Sequence, residues 1–303
     1  MNKEFIDNFM SHQEFPEEAI KEFDRLIDLI NNDLYYSAYF DGVVDAFYAD
    51  KNQHSEIFIA ISDKLAEKMK ENTYTLQMLF LLAALPRLFE KYKEQEIDEQ
   101  IFWDSTLDLR AKLVECHKCK SVWGTFVTGW FGRFYELDRF ALGRFQFEKN
   151  TYDGAVYEKG DIIVKPGDKV YGFHIPSHPV SLTDEVRFDS YRRAYEFYKA
   201  RDNFEGPIIF TCSSWLLFPP YAKALGEQSN VSKFQKDFDL TCVKEKDKFY
   251  DAWRVYYANG DLPVEDWQED TSMQRKLKKH FLDGGMAGDA YGFIVFDGEK
   301  IIN

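Results

Sequence analysis

Two hydrophobic segments of the chain each end in side chains that can do chemistry. His174, followed by Ile175 and Pro176, ends the first, and the run Cys212–Ser213–Ser214–Trp215 ends the second. An imidazole titrates near neutral pH and can accept a proton from an amine as a general base. A cysteine beside such a base can instead become acylated as a nucleophile. We therefore predict His174 and Cys212 as candidate catalytic residues.

The elements around these residues predict that the two segment ends meet. Lys169–Ile175 and Pro207–Ser213 have the pattern of strands, and Thr183–Ala200 between them has the pattern of a helix. Such a unit most simply forms two parallel strands joined by a right-handed crossover, and ligands bind beyond the carboxyl ends of such strands. We therefore predict a ligand site where His174–Pro176 and Cys212–Trp215 meet.

Alternation along the first of these strands assigns its side chains to two faces. Tyr171, Phe173 and Ile175 lie on one face, and Gly172 and His174 lie on the other. A glycine within a strand leaves room for a ligand or for another backbone. We therefore expect the face that carries His174 to be open near Gly172.

Each of these candidate residues also has a structural interpretation. His174 could be hydrogen bonded inside the sheet, and Cys212 could be a small buried hydrophobic residue. Ser213 and Ser214 could bind a ligand through their hydroxyls, or they could only cap the turn before Trp215. The indole of Trp215 could be a core anchor rather than a ligand contact.

The rest of the chain predicts an α+β protein with two domains. Up to Leu137, apolar residues recur with helical spacing in about five segments, and from Phe140 the pattern becomes alternating, as far as a closing strand at Ala290–Phe296. We predict an all-helical domain at residues 1–137, packed on a mixed-sheet domain with a central β-α-β unit at residues 138–303. The other predicted elements are helices at Pro16–Ile30, His54–Met69, Tyr74–Tyr92, Trp103–Val114, Trp123–Leu137, Asn230–Phe238 and Thr271–Leu282, and strands at Phe140–Glu148, Leu240–Val243 and Trp253–Ala258.

Composition and charge restrict the partners that the protein can have. Its 303 residues carry a net charge of −14 and 45% hydrophobic residues, whereas nucleic-acid binding requires a dense cluster of cations. The longest apolar run, Leu76–Leu85, is too short to span a bilayer, and Met1–Pro16 lacks the pattern of a secretory signal. We therefore expect a cytoplasmic protein without nucleic-acid or membrane partners, and its oligomeric state is left open.

The pattern Cys116–His117–Lys118–Cys119 invites a metal or redox interpretation. A structural zinc site requires four ligands in paired clusters, and this pair lies on a predicted helix with no second pair near it in the sequence. Cys212 and Cys242 fall in predicted strands of the other domain. We therefore expect no metal site and four reduced thiols.

A series of motifs, taken in order, resembles a bacterial acyltransferase family. The motifs are Asp104–Leu109 (DSTLDL), Leu142–Glu148 (LGRFQFE), His174–Pro176 (HIP), Ser214–Leu217 (SWLL), Ser229–Asn230, Thr271–Arg275 (TSMQR) and Gly284–Gly285. Members of this family join a helical acyltransferase-associated domain to a GNAT-like C-terminal domain.

The resemblance implies a fold in which two parallel strands splay apart, so that the pantetheine arm of acyl-CoA pairs with an exposed strand edge. It implies transfer of an acyl group from an acyl-CoA-type thioester to an amine acceptor, with acyl-CoA or CoA as the cofactor and His174 accepting the amine proton. The implied cofactor-binding residues are Ile175, Ser213, Ser214, Trp215 and Asn230. Residues implied only as cleft candidates are Arg144, Glu148, Arg254 and Arg275.

The segment Ser177–Glu185 departs from the GNAT pattern. GNAT enzymes hold the CoA pyrophosphate on a glycine-rich loop before the crossover helix, whereas this segment has no glycine. Thr183 and Asp184 are instead predicted to cap the helix. Two alternatives therefore stay open: an inactive GNAT-like module that binds a small molecule or protein, and transfer or hydrolysis through a Cys212–His174 couple.

Overall fold

A computed structural model describes residues 1–50, 52 and 54–303 of the chain. The chain divides into two compact units, Met1–Phe140 and Ala141–Asn303. The division falls at Phe140, close to the boundary at Leu137 that the change of periodicity predicts. The first unit is helical and the second is built around a mixed sheet.

Apart from Arg139 and Phe140, which begin the first strand, the regular elements in the described residues of the first unit are helices. They are α1 (Lys3–His12), α2 (Glu17–Asn31), α3 (Leu34–Ala49), α4 (Glu56–Met69), α5 (Thr73–Glu94), α6 (Glu99–Lys120) and α7 (Gly132–Tyr135). Helix α3 was not predicted, because its apolar residues surround the helix: Phe40 and Phe47 are buried, whereas Leu34 and Tyr35 are exposed. The short α1 was also missed, and the predicted helix at Trp123–Leu137 is reduced to a 3-10 turn, Thr128–Phe131, followed by α7.

A six-stranded mixed sheet in the order β1-β2-β5-β6-β8-β7 organises the described residues of the second unit. Its strands are β1 (Arg139–Leu142), β2 (Phe145–Thr151), β5 (Lys169–His174), β6 (Ile208–Ser214), β7 (Asp239–Lys246) and β8 (Ala287–Phe296), and β3 (Tyr157–Lys159) and β4 (Ile162–Val164) form a separate hairpin. Strands β5 and β6 are parallel and are joined by α8 (Asp184–Asp202). The predicted β-α-β unit and the α+β fold class are therefore confirmed.

Two predicted strands differ from the structure. Phe140–Glu148 was predicted as one strand, but it is the hairpin β1–β2, which turns at Gly143 with a φ of +77°. Only a glycine fits this turn easily, because a Cβ would also lie 3.1 Å from the Cα of Ser190.

The predicted strand at Trp253–Ala258 is instead α11 (Ala252–Tyr256) followed by a 3-10 turn. Tertiary packing overrides the strand propensity of its aromatic residues, because Tyr256 stacks on Trp267 at 4.2 Å and Val255 accepts a hydrogen bond from Gln274. The remaining helices of this unit are α9 (Pro219–Leu225), α10 (Asn230–Gln235) and α12 (Ser272–Leu282).

The two faces of the sheet are covered differently. On one face, Phe173 and Phe210 pack against Tyr191 of α8, with ring centroids 6.0 and 5.9 Å apart. On the other face, Phe293 of β8 stacks on Tyr157 of the β3–β4 hairpin at 4.1 Å. The face opposite α8 is therefore apolar over β8, and it becomes polar over β2 and β5, where the site residues lie.

None of the helices in the described parts of the chain combines the length and apolarity needed to cross a membrane.

Candidate active site

Strands β5 and β6 separate toward their carboxyl ends. Their parallel ladder ends at the pair Gly172–Thr211 among the described residues. Strand β2 nevertheless pairs with β5 as far as His174, and β8 pairs with β6 as far as Ser214. Among the described residues, the end of β5 is therefore paired with β2 and the end of β6 with β8, but the two ends are not paired with each other. The facing backbone edges can therefore accept an extended ligand as an added strand.

His174 stands at this opening, on the face of the sheet opposite α8. Its Nε2 lies 3.2 Å from Oε1 of Glu148 on β2, as an ion-pair contact rather than an aligned hydrogen bond. The His174 side chain is 33% exposed and that of Glu148 is 8% exposed. A buried carboxylate beside an imidazole orients the ring and stabilises the positive charge that forms when the ring takes a proton.

Glu148 is itself positioned by the glycine that the sequence singles out. A Cβ at Gly172 would collide with the amide of Asn150, and this amide lies 3.4 Å from Glu148 Oε1 as a hydrogen-bond donor. The room at Gly172 is thus filled by a neighbouring side chain of β2. The Asn150 amide, which occupies this space, therefore holds Glu148 beside His174.

Gln146 is a site residue that the sequence analysis missed. It is paired with His174 in the antiparallel β2–β5 register, so both side chains project from the same face. Its side chain is buried, and its Oε1 has no hydrogen-bond partner among the described residues. The alternation of Phe145, Gln146, Phe147 and Glu148 is typical of a strand with one solvated face, which hid the burial of both polar side chains.

The structure does not bring Cys212 and His174 together as a catalytic couple. Cys212 follows Phe210 by two residues on β6, so it lies on the α8 face, near Tyr191. It is buried, and this burial raises the pKa of its thiol well above the usual range. Cys212 therefore belongs to the core between the sheet and α8.

The other predicted cofactor residues fall into two groups. Ile175 follows His174 as a half-buried residue, and Ser213 is exposed at the end of β6, so both border the opening. The Ser214 Oγ accepts a hydrogen bond from the Leu216 amide at 3.2 Å, which is the capping role that the sequence left open. Trp215 packs against Phe249 with ring centroids 5.3 Å apart.

Asn230, another predicted cofactor residue, lies on a separate element from the two strand ends. It begins α10, which is capped by Ser229, and its side chain makes no hydrogen bond to either strand end within the described ranges. Of the four cleft candidates, Glu148 and Arg144 lie at the site. Arg254 and Arg275 are instead exposed, Arg254 beside Asp251 and Arg275 on the α12 surface.

Arg144 organises the segment between β5 and α8. Its Nε donates to the carbonyl of Val180 at 3.0 Å and its Nη1 donates to that of Pro176 at 2.9 Å. Burial lowers the pKa of the Arg144 guanidinium to about 10, and no acidic side chain in the described part of the chain offsets this effect. The β1–β2 turn therefore contributes a buried cation, without a carboxylate partner in the described part of the chain, to the loop before the crossover helix.

Backbone amides of this loop are already engaged by its own side chains. The Val180 amide donates to Nδ1 of His178 at 3.0 Å, and the Val186 amide donates to Oγ1 of Thr183 at 3.4 Å. The predicted cap at Thr183 is therefore confirmed, and Asp184 is the first residue of α8. Any anion bound here would depend on side chains more than on bare amides.

Cys116 and Cys119 both lie on helix α6. Cys116 is buried, and this burial raises the pKa of its thiol to about 12. Among residues 1–50, 52 and 54–303, no group of three or more His, Cys, Asp or Glu side chains could hold a metal ion.

Solved structures share this fold over most of the chain. An acyltransferase in complex with decanoyl-CoA and teicoplanin matches with a TM-score of 0.72 at 17% identity, covering 95% of this chain and 87% of that one. An acyltransferase in complex with decanoyl-CoA gives 0.71 at 19% identity, covering 95% and 86%. An acyltransferase mutant in complex with octanoyl-CoA gives 0.73 at 16% identity, covering 98% and 89%. At these identities the likeness establishes the fold.

Two family models cover nearly the whole sequence, whereas no curated protein matches it. The model described as an N-acyltransferase N-terminal domain matches residues 4–137, and the model described as a GNAT-like C-terminal domain matches residues 140–294. The chain therefore belongs to the family defined by the GNAT-like C-terminal domain, and its first part matches the model of an N-acyltransferase N-terminal domain.

Proposed function

We propose that the protein transfers an acyl group from an acyl-CoA thioester to the nitrogen of an amine. The observation that carries this proposal is the opening between β5 and β6, with the His174–Glu148 pair beside it. The match of residues 4–137 to an N-acyltransferase N-terminal domain supports a nitrogen acceptor. The shared fold with acyltransferases crystallised with decanoyl-CoA, octanoyl-CoA and CoA supports an acyl-CoA donor.

The donor lies in the opening as an added strand. The amide groups of its pantetheine arm pair with the backbone edge at Phe173–Ile175, which the parallel ladder leaves available. Ser213 borders the other side of the path. The Arg144 guanidinium supplies positive charge toward the CoA diphosphate, because this buried cation is hydrogen bonded to the loop before α8.

The reaction is direct transfer through a tetrahedral intermediate. The neutral amine nitrogen attacks the thioester carbonyl and forms the C–N bond, and His174 takes the proton that this nitrogen loses. The C–S bond then breaks, and the CoA thiolate leaves and receives that proton. Glu148 stabilises the imidazolium between these two steps. Cys212 takes no part, because it lies on the opposite face of the sheet.

We place this activity in the cytoplasm of a bacterium. The resemblance of the motifs to a bacterial family supports the source, and the free thiols of Cys116, Cys212 and Cys242 support a reducing compartment. Fractionation of cells that produce the protein, followed by detection with an antibody, tests this placement.

The experiment that tests the function combines decanoyl-CoA with a panel of primary amines. CoA thiol release is followed with a thiol reagent, and the N-acyl product is identified by mass spectrometry. The proposal predicts amine-dependent thiol release. Binding of decanoyl-CoA by calorimetry without release for any amine would instead support the inactive binding module. A stable acyl adduct on Cys212 would support the cysteine route.

A further inference from the structure

Gln146 differs from other buried glutamines in the described part of the chain. It is 2% exposed, and its Oε1 accepts no hydrogen bond among the described residues. By contrast, Gln274 Oε1 accepts from the Thr271 amide at 2.9 Å, and Gln77 Oε1 accepts from the Thr128 hydroxyl at 2.6 Å. Because an unmade buried hydrogen bond costs stability, native proteins rarely leave one without a functional reason.

The unpartnered Oε1 of Gln146 belongs to a side chain that lies beside the candidate base, His174. It is directly opposite His174 in the β2–β5 register, so the two Cβ atoms are about 4.5–5.5 Å apart on one face. Glu148 lies two residues farther along β2 on that face and contacts His174 from the side. The Gln146 carboxamide and the Glu148 carboxylate therefore flank the proposed base.

We propose that Gln146 binds the acceptor amine through Oε1. This assignment rests on the function proposed above and adds a residue for the acceptor nitrogen. A neutral primary amine carries two N–H bonds and one lone pair. If one N–H faces His174 and the other donates to Gln146 Oε1, the remaining lone pair has a fixed direction toward the thioester carbonyl.

The chemistry of Oε1 also defines what the position accepts. A carboxamide oxygen only accepts hydrogen bonds, so it binds an N–H donor and offers nothing to a thioester oxygen. The donor site lies along the β5–β6 edge, on the other side of β5 from Gln146. Loss of Gln146 Oε1 should therefore affect the amine and leave the acyl-CoA unaffected.

The test is the variant Gln146→Leu, which removes the orphaned acceptor with little change in side-chain volume. At saturating decanoyl-CoA, we expect the KM for the best amine of the panel, and for hydroxylamine as a minimal probe, to rise about 10- to 100-fold. The calorimetric affinity for decanoyl-CoA should stay unchanged. The Tm should stay equal or rise, because an unsatisfied polar group has been removed.

The matched control is Gln235→Leu, since Gln235 is also buried but its amide is hydrogen bonded. That variant should lower the Tm and leave the KM for the amine unchanged. An unchanged KM for the amine in Gln146→Leu would overturn the assignment, whatever the substitution does to the Tm. Wild-type protein without amine-dependent release would refute the proposed function and this assignment together, whereas wild-type activity with an unaltered variant refutes the assignment alone.

Discussion

The face of the sheet on which a side chain lies decides its chemical role in this site. His174 and Cys212 end neighbouring parallel strands, yet alternation turns them to opposite faces. His174 meets a carboxylate, whereas Cys212 enters the core beside Tyr191, where burial raises the pKa of its thiol. The imidazole can therefore exchange protons with a ligand, and the thiol stays protonated at neutral pH.

This difference predicts that Cys212 is dispensable for turnover. Cys212→Ala should keep acyl transfer per folded molecule within about twofold of wild type and should cost about 1 kcal/mol of stability through a small cavity. Iodoacetamide at pH 7.5 should modify the exposed Cys242 and spare Cys212. Peptide mapping checks the labelling, and loss of turnover in a folded Cys212→Ala protein would show that the thiol is needed.

The sequence permits prediction of some site residues and not of others. His174 could be predicted because a strand end in a β-α-β unit is a topological property. Gln146 could not, because its polar position in an alternating strand is typical of a solvated face, and only the fold shows that it is buried. Glu148 was suggested by family resemblance, and the role that we propose for it rests on its 3.2 Å contact with His174.

Among the elements, the loop before α8 is where we propose that the CoA diphosphate binds without a glycine-rich turn. Its carbonyls at Pro176 and Val180 bind the buried Arg144. We expect Arg144→Met to weaken CoA binding about 10- to 100-fold, as for the loss of a charged hydrogen bond. Binding of pantetheine, which lacks the diphosphate, should change little, and calorimetry with both ligands measures the difference.

The control for Arg144 is Arg275→Met. Arg275 also donates to two backbone carbonyls, those of Glu269 and Asp270, but it is exposed on α12. It should leave both affinities unchanged. Equal losses of CoA and pantetheine binding in Arg144→Met would mean that Arg144 supports the loop without contributing its charge.

The far end of α8 predicts a pH-dependent contribution to stability. Burial pushes the pKa of Asp202 upward, but hydrogen bonds from Lys149 and Tyr171 outweigh it, so the pKa is lowered overall. A carboxylate with a lowered pKa stabilises the fold above its unfolded value of about 3.9, and this stabilisation is lost as the pH falls through the folded value.

Asp202→Asn should therefore lower the free energy of unfolding by about 1–2 kcal/mol at pH 7. The difference from wild type should shrink below about pH 4, where the wild-type carboxylate becomes protonated. Urea unfolding at several pH values measures both proteins. A difference that is constant with pH would contradict the assignment of the effect to the carboxylate charge.

Local periodicity predicted uninterrupted strands and helices better than it predicted turns between elements. The parallel unit β5-α8-β6 was predicted because both strands and the helix have uninterrupted patterns. The turn at Gly143 was hidden, because alternating residues continue on both sides of it. The helix α11 was hidden, because its aromatic residues have strand propensity and only packing against α12 makes the segment helical.

At the scale of the whole molecule, two independently packed units correspond to two family models. The change from helical to alternating periodicity near Leu137 was sufficient to predict both classes of unit. The 52 Asp and Glu residues outnumber the 38 Lys and Arg residues, so the net charge of −14 disfavours long-range attraction of an anionic ligand. The proposed binding of CoA therefore depends on local positive charge, such as that of the buried Arg144.

The most direct measurement compares amine-dependent acyl transfer from decanoyl-CoA by wild type, His174→Ala and the control His12→Ala, which alters an exposed residue of α1. Each preparation is assayed together with its Tm. The account predicts that His174→Ala lowers kcat by about 10²- to 10⁴-fold with the fold retained, and that His12→Ala has no effect. If His174 is only structural, the variant should lose about 1–3 kcal/mol of stability and keep its activity per folded molecule. That second result would contradict the proposed mechanism.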